Sequence, residues 1–278
     1  MELRQDLLEA LYRQYTHREC VHPDPLETLY AFERAEDVEV AGLLAALMAY
    51  GRVGQILKSL KEIFSLMGDG PRDWLCRQKP EALETVFQDF RHRFADGKNL
   101  SGLMAGMGKC LRDHGSLRAA FAQGDGGGDI EAALEAFVAT LLRGASHDPG
   151  HLLPRPAKGS ACKRLYLFLR WMVRKDAVDT GIWEDVGAER LLVPVDVHMH
   201  RIALLAGLTN RKSGDIRTSR EITRAFARFA PEDPVRYDFA LTRIGILEGM
   251  NPEVFMKNFK DFKNVTDVHG DRAFSKDV

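Results

Sequence analysis

The four cysteines of this 278-residue chain, Cys20, Cys76, Cys110 and Cys162, lie far apart, and no C-x-x-C pair exists. A cysteine-bound zinc or iron–sulfur site therefore has no local signature. Free thiols in a reduced, cytoplasmic protein are the simplest expectation. Long apolar runs are missing too. The strongest, Val38 to Tyr50, is broken by Glu39 and is far too short to cross a bilayer, so no membrane association is expected. The first residues hold no apolar core behind a basic start, and nothing there reads as an export signal. A net charge of one sign is also absent, since 39 basic side chains face 40 acidic ones. Strand patterning is scarce. Only Leu191-Leu192-Val193-Pro194-Val195 reads as extended, and its proline confines it to a short or edge piece.

What is there is helix. Leu3, Leu7, Leu8 and Leu11 recur at helical spacing, and residues 37–50 are apolar on nearly all sides, as in a helix buried within a bundle. Ile56, Leu57, Leu60, Ile63 and Phe64 form the stripe of the next helix, after Gly51. Further helices are expected over 80–94, 99–113, 129–143, 160–175, 196–207, 218–230, 233–248 and 251–262. Asp37, Asp129, Ser160, Asp196, Thr218 and Asp233 are the candidate N-caps. The fold class is all-α. Charge is unevenly spread: residues 1–150 hold 17 basic and 23 acidic side chains, residues 151–278 hold 22 and 17. The sharpest run, Arg155 to Lys175, carries seven basic residues and no acidic one, a surface suited to phosphates or merely a solvated helix face.

Two segments combine residue types that chemistry needs. Gly159-Ser160-Ala161-Cys162-Lys163-Arg164 runs from a small-residue turn into a helix. The free N–H groups at such a start accept phosphate, and Lys158 and Arg164 add charge. Lys163 falls in the first turn, where the helix dipole disfavours an ammonium and favours use of the side chain as an amine nucleophile. The second segment is Pro194-Val195-Asp196-Val197-His198-Met199-His200-Arg201. Asp196 suits an N-cap and could turn its other oxygen to a cleft. Asp196, His198 and His200 also offer three metal ligands within five residues, although on a helix residues two apart point roughly 200° from each other.

Gly159-x-x-x-Lys163 leading into a helix, followed by Val195-Asp196-x-His198-x-x-Arg201 and Gly207-Leu208, resembles the signature of the helix-hairpin-helix base-excision DNA glycosylases, the HhH-GPD superfamily. Residues 41–63, with Tyr50-Gly51-Arg52 at their centre, resemble the first helix pair of those enzymes. Closer still, the whole chain looks like a bacterial family of unknown function related to them. The family's Leu-Pro-Gly-Val-Gly hairpin is replaced by Lys158-Gly159-Ser160-Ala161-Cys162. The 33-residue gap from Lys163 to Asp196 is similar to that of the archaeal 8-oxoguanine DNA glycosylase branch.

The resemblance implies a two-lobed helical bundle with a cleft between the lobes. Residues 36–178 would form the central lobe and end in the Lys163 segment. Residues 1–35 with 179–262 would form the second lobe, carrying Asp196, and 263–278 a tail. It implies excision of a flipped, damaged base from double-stranded DNA, with Lys163 as nucleophile, Asp196 as carboxylate, and AP-lyase activity following from a lysine nucleophile. Arg52, Lys158, Arg164 and Arg201 are the candidate DNA contacts. No cofactor is implied, and with no cysteine after Ile244 the iron–sulfur cluster of some relatives is not expected. Two alternatives stand beside this reading. One is a non-catalytic nucleic-acid-binding relative on the same scaffold, and the other a metal-dependent hydrolase using Asp196, His198 and His200.

Overall fold

The computed structural model describes residues 4–247, and within them the chain is mostly helical. The order is α1 (Gln5–Tyr15), α2 (Ala35–Met48), α3 (Val53–Met67), α4 (Pro71–Arg77) and α5 (Pro80–Val86). A small antiparallel hairpin follows, β1 (Arg91–His92) and β2 (Ala95–Asp96). Then come α6 (Gly97–His114), α7 (Leu117–Ala122), α8 (Ile130–Gly144), α9 (Lys163–Val173), α10 (Val197–Leu205), α11 (Ile216–Ala227) and α12 (Asp238–Leu247). No helix among the described residues is long and apolar enough to cross a membrane.

Helix α2 is the central rod. Every residue from Asp37 to Met48 is buried, against α9, α4 and the 3-10 turn Pro25–Ala31. A helix apolar all round belongs inside, but this one also carries two acids into the core. The Asp37 carboxylate accepts the Arg72 N–H at 2.8 Å. Glu39 accepts the N–H groups of Leu117 and Arg118 at 2.7 and 3.2 Å and the Trp183 indole N–H at 2.8 Å. It thereby satisfies donors at the start of α7 that would otherwise be orphaned in the core.

Helix α9 lies beside α2 and buries two arginines, Arg170 and Arg174, among four aspartates. Arg170 pairs with Asp179 at 3.1 Å and with Asp238 at 2.5 Å. Arg174 pairs with Asp176 and Asp233, each at 2.9 Å, and with Asp179. Burying charges is tolerable only when they are paired and hydrogen-bonded. The network ties α9 to the loop after it and, through Asp238, to α12.

Several boundaries differ from those read in the sequence. Helix α2 begins at Ala35 with Arg34 as N-cap, so Asp37 is a buried first-turn residue rather than the cap. Asp215, not Thr218, caps α11, and Thr218 lies buried one turn inside. Helix α12 starts at Asp238, because Asp233 is spent on Arg174. Ser160 does not cap α9, which starts at Lys163 behind Cys162. The helix expected over 80–94 stops at Val86, and the chain turns into the hairpin, a tertiary choice no periodicity signals. Residues 191–195 form no strand and join no sheet. Their polar groups go to α11 instead: the Val193 N–H to Thr223 Oγ1 at 2.9 Å, and its carbonyl to the Ser219 hydroxyl at 2.7 Å. Asp129 and Asp196 do cap α8 and α10. The helix expected over 251–262 and the tail after it lie outside the described residues.

Candidate functional site

A cleft of about 530 Å³ opens where three loops meet: the end of α2, the segment 148–164 and the entry to α10. Tyr50, His151, Arg155, Lys158, Lys163 and Val195 are among its lining residues. Lys163 reaches it from the start of α9. Two left-handed turns deliver the chain there, at Gly159 (φ 71°) and Cys162 (φ 43°). Glycine adopts that conformation freely, whereas a residue with a Cβ does so only under constraint. At Cys162 the constraint includes its own N–H donated to Ser160 Oγ at 3.3 Å and the core packing of its side chain.

Asp196 comes to the same place from α10. With Val193 clamped to α11, Asp196 adopts the extended backbone of an N-cap, and its Oδ1 accepts the Met199 N–H at 2.7 Å. Its Oδ2 is left for Lys163, whose Nζ donates to it at 3.1 Å across 33 residues of sequence. The side chains keep 32% and 24% of their exposure, so the pair is sheltered yet reachable from solvent. Burial opposes the Asp196 charge, but the Lys163 ammonium and the Met199 N–H outweigh it and hold the carboxyl below the usual range. Two side chains of opposite charge, one nucleophilic in its neutral form and one able to take a proton, thus meet at the edge of the cleft, Lys163 in its lining and Asp196 against it.

The four expected DNA contacts do not behave alike. Lys158 is exposed and lines the cleft. Arg164 lines it too, but its guanidinium donates to the carbonyls of Leu47, His151 and Leu152 at 2.6, 2.5 and 3.2 Å and lies over the Tyr50 ring. Burial pulls it down to about 10. It fastens α9 to the end of α2 and is spent on structure. Arg52, the N-cap of α3, and Arg201, on α10, are exposed and lie outside the cleft lining. The basic run 155–175 is not one face. Arg170 and Arg174 point into the core, Arg155 pairs with Asp148, and Lys175 pairs with Glu184 at 2.7 Å outside the cleft lining.

The metal-ligand alternative fares differently. On α10, His198 is exposed, while His200 Nε2 contacts the Arg211 carbonyl at 2.8 Å, so the two rings diverge. Among the described residues no three His, Cys, Asp or Glu side chains gather to hold a metal ion.

Two lining residues were not among the expected catalytic or DNA-contact residues, although Tyr50 belongs to the Tyr50-Gly51-Arg52 stretch that the resemblance marked. Tyr50 stands edge-on to His151 at 4.8 Å and to the buried His92 at 4.7 Å, so Tyr50 and His151 give the cleft an aromatic wall. Tyr50 had a signal, since it closes the apolar run before Gly51. His151 had none, lying in a turn region between Pro149 and Pro154. No curated protein and no solved structure matches the chain. Residues 24–247 match a family described as a protein of unknown function, DUF2400.

Proposed function

Since the chain belongs to the DUF2400 family of unknown function, its activity must be read from the cleft, and we propose that it is a DNA base-excision glycosylase with lysine-based lyase chemistry. The observation that carries this reading is the 3.1 Å contact of Asp196 with Lys163, which lines a cleft of nucleotide size. The resemblance to helix-hairpin-helix glycosylases at these two positions supports it. In the proposed reaction a damaged nucleotide, an oxidised purine by that resemblance, leaves the duplex and enters the cleft. Asp196 Oδ2 takes a proton from Lys163, and the neutral amine attacks C1′ of the deoxyribose. The bond from C1′ to the base breaks, and its electron pair and a proton leave with the base. The amine nitrogen then forms a Schiff base with the opened sugar, from which loss of a C2′ proton expels the 3′ phosphate.

Asp196 divides its work between two oxygens. Oδ1 holds the α10 start, and Oδ2 handles the proton and the developing positive charge on the sugar, the kind of preorganised electrostatics that supplies most catalytic rate. The test is borohydride trapping on duplexes carrying 8-oxoguanine, uracil, thymine glycol or an abasic site. Wild type should crosslink to at least one. Lys163→Gln should abolish the crosslink while lowering the melting temperature by no more than a few degrees, because a partly exposed ion pair contributes about 1 kcal/mol or less. Asp196→Asn should keep the cap, since asparagine caps as well, and still slow trapping by about 10²-fold or more. A crosslink that survives Lys163→Gln but is lost in Lys175→Gln would move the nucleophile. Wild type that binds lesions yet never crosslinks would make the protein a binder on this scaffold.

A further inference from the structure

The hairpin β1–β2 is anchored more firmly than two residues per strand would achieve alone. His92 is buried; its Nδ1 lies 3.1 Å from Ser59 Oγ on α3 and its Nε2 3.3 Å from the Tyr50 carbonyl. The Tyr50 hydroxyl donates back to the His92 carbonyl at 3.1 Å. On the other strand Asp96 caps α6 through the Asn99 N–H at 3.1 Å. Gly97 behind it sits so close to the Phe87 carbonyl that a Cβ would overlap it. Between these anchors the tip holds Arg93, at φ 54°, and Phe94.

Phe94 is 71% exposed, an aromatic ring left in water by a hairpin that is otherwise fixed to the core. Packing does not explain it, because the chain could bury apolar surface of that size to advantage. Its surroundings do. The ring stands edge-on to His151 at 5.4 Å, and the Arg93 guanidinium lies 5.3 Å from its centroid. His151 in turn meets Tyr50, so the exposed ring continues the aromatic wall of the cleft outward to its rim. Burial, with Arg164 and Arg93 nearby, holds His151 below the ordinary imidazole range.

We propose that the Arg93–Phe94 tip is a base-stacking contact: Phe94 takes the face of a nucleobase unstacked beside the nucleotide that enters the cleft, and Arg93 takes the adjoining phosphate. This rests on the reading of the cleft as a DNA site. An aromatic face flanked by a guanidinium matches a base followed by a phosphate, and stacking of this kind tolerates any base. A lipid surface or a protein partner would call for a broader apolar face than one ring among Arg91, Arg93 and His151.

The probe is a duplex with a stable abasic analogue flanked by 2-aminopurine, whose fluorescence reports unstacking. Wild type and Phe94→Trp should bind it and change that fluorescence, and the added indole should be quenched. Phe94→Ala should bind about ten-fold more weakly and lose the fluorescence change, while its melting temperature holds because the ring is exposed. Equal binding and equal fluorescence in Phe94→Ala overturn the stacking contact and leave the lysine chemistry standing. Loss of binding in Phe94→Ala, with no borohydride crosslink from any variant, supports the contact and removes the chemistry. Failure of wild type to bind the duplex at low salt overturns both. An indole in Phe94→Trp that ignores DNA but responds to anionic vesicles overturns the contact in favour of a membrane.

Discussion

At the residue scale, position in the sequence and role in the molecule part company most clearly among the arginines and lysines. Lys158 and Arg164 are six residues apart in one basic run, and by composition they are interchangeable. The structure leaves Lys158 in solvent at the cleft and commits Arg164 to three carbonyls under Tyr50. Their substitutions should therefore diverge. Lys158→Glu should weaken DNA binding about equally across sequences, with an unchanged melting temperature. Arg164→Ala leaves three carbonyls without their donor and should destabilise the fold by about 2–4 kcal/mol, with lysine a poor replacement for the planar fork. Denaturant unfolding beside a binding titration checks both. An Arg164→Ala variant of wild-type stability would return that residue to the DNA surface. The same scale shows what could be read beforehand. Asp196 as a cap follows from local chemistry, an aspartate after an extended proline-containing entry. That its second oxygen meets Lys163 depends on how α10 and α9 pack, and only the family resemblance pointed to it.

At the scale of elements, the long periodic helices were legible and the short pieces were not. Helices α6, α8 and α10 fall within a few residues of their expected spans, because stripe and cap agree there. Helix α7 is six residues long, and part of what fixes it lies far away, in the Glu39 carboxylate of α2. That contact has a pH signature. Burial pushes the Glu39 carboxyl up to about 7, against the pull of its three N–H donors. A glutamate in the unfolded chain titrates near ~4.3. Between these values the folded state holds the proton and the unfolded state does not, so stability is greatest at the acid end and falls as pH rises through 7. The Glu39 share of that fall is at most about 4 kcal/mol over the full range between the two values. Asp238, pushed up to about 6 by burial beside Arg170, adds a smaller fall of the same sign. Urea midpoints should decline from pH 5 to pH 8 in wild type. Glu39→Gln should start lower at pH 5, having one acceptor oxygen for three donors, and decline less. A Glu39→Gln decline as steep as that of wild type would mean that the donors, not burial, govern this carboxylate.

At the scale of the whole molecule, the net charge of −1 is silent about partners, and even the basic run overstates the cationic surface. Seven basic residues between Arg155 and Lys175 suggest a phosphate-binding stripe, but the fold withdraws Arg170 and Arg174 into the core and spends Arg164 on carbonyls. Arg155 and Lys175 each face an acid at 2.8 and 2.7 Å. A linear reading counts all seven because it cannot tell a helix's inner face from its outer one when both carry arginine. What remains is Lys158 at the opening, with Arg93 on the hairpin rim and Arg52 beside Gly51, since Lys163 is held by Asp196. If these carry the electrostatics, binding releases only the counterions of about three phosphates. The logarithm of the DNA association constant should then fall against the logarithm of salt concentration with a slope near about −3. A stripe using all seven charges would give about −6. Lys158→Gln should flatten the slope by about one unit, and Lys175→Gln should leave it alone. A wild-type slope near the steeper value, unmoved by Lys158→Gln, would place DNA on a surface other than this cleft, and the chemistry assigned to Lys163 and Asp196 would lose its substrate.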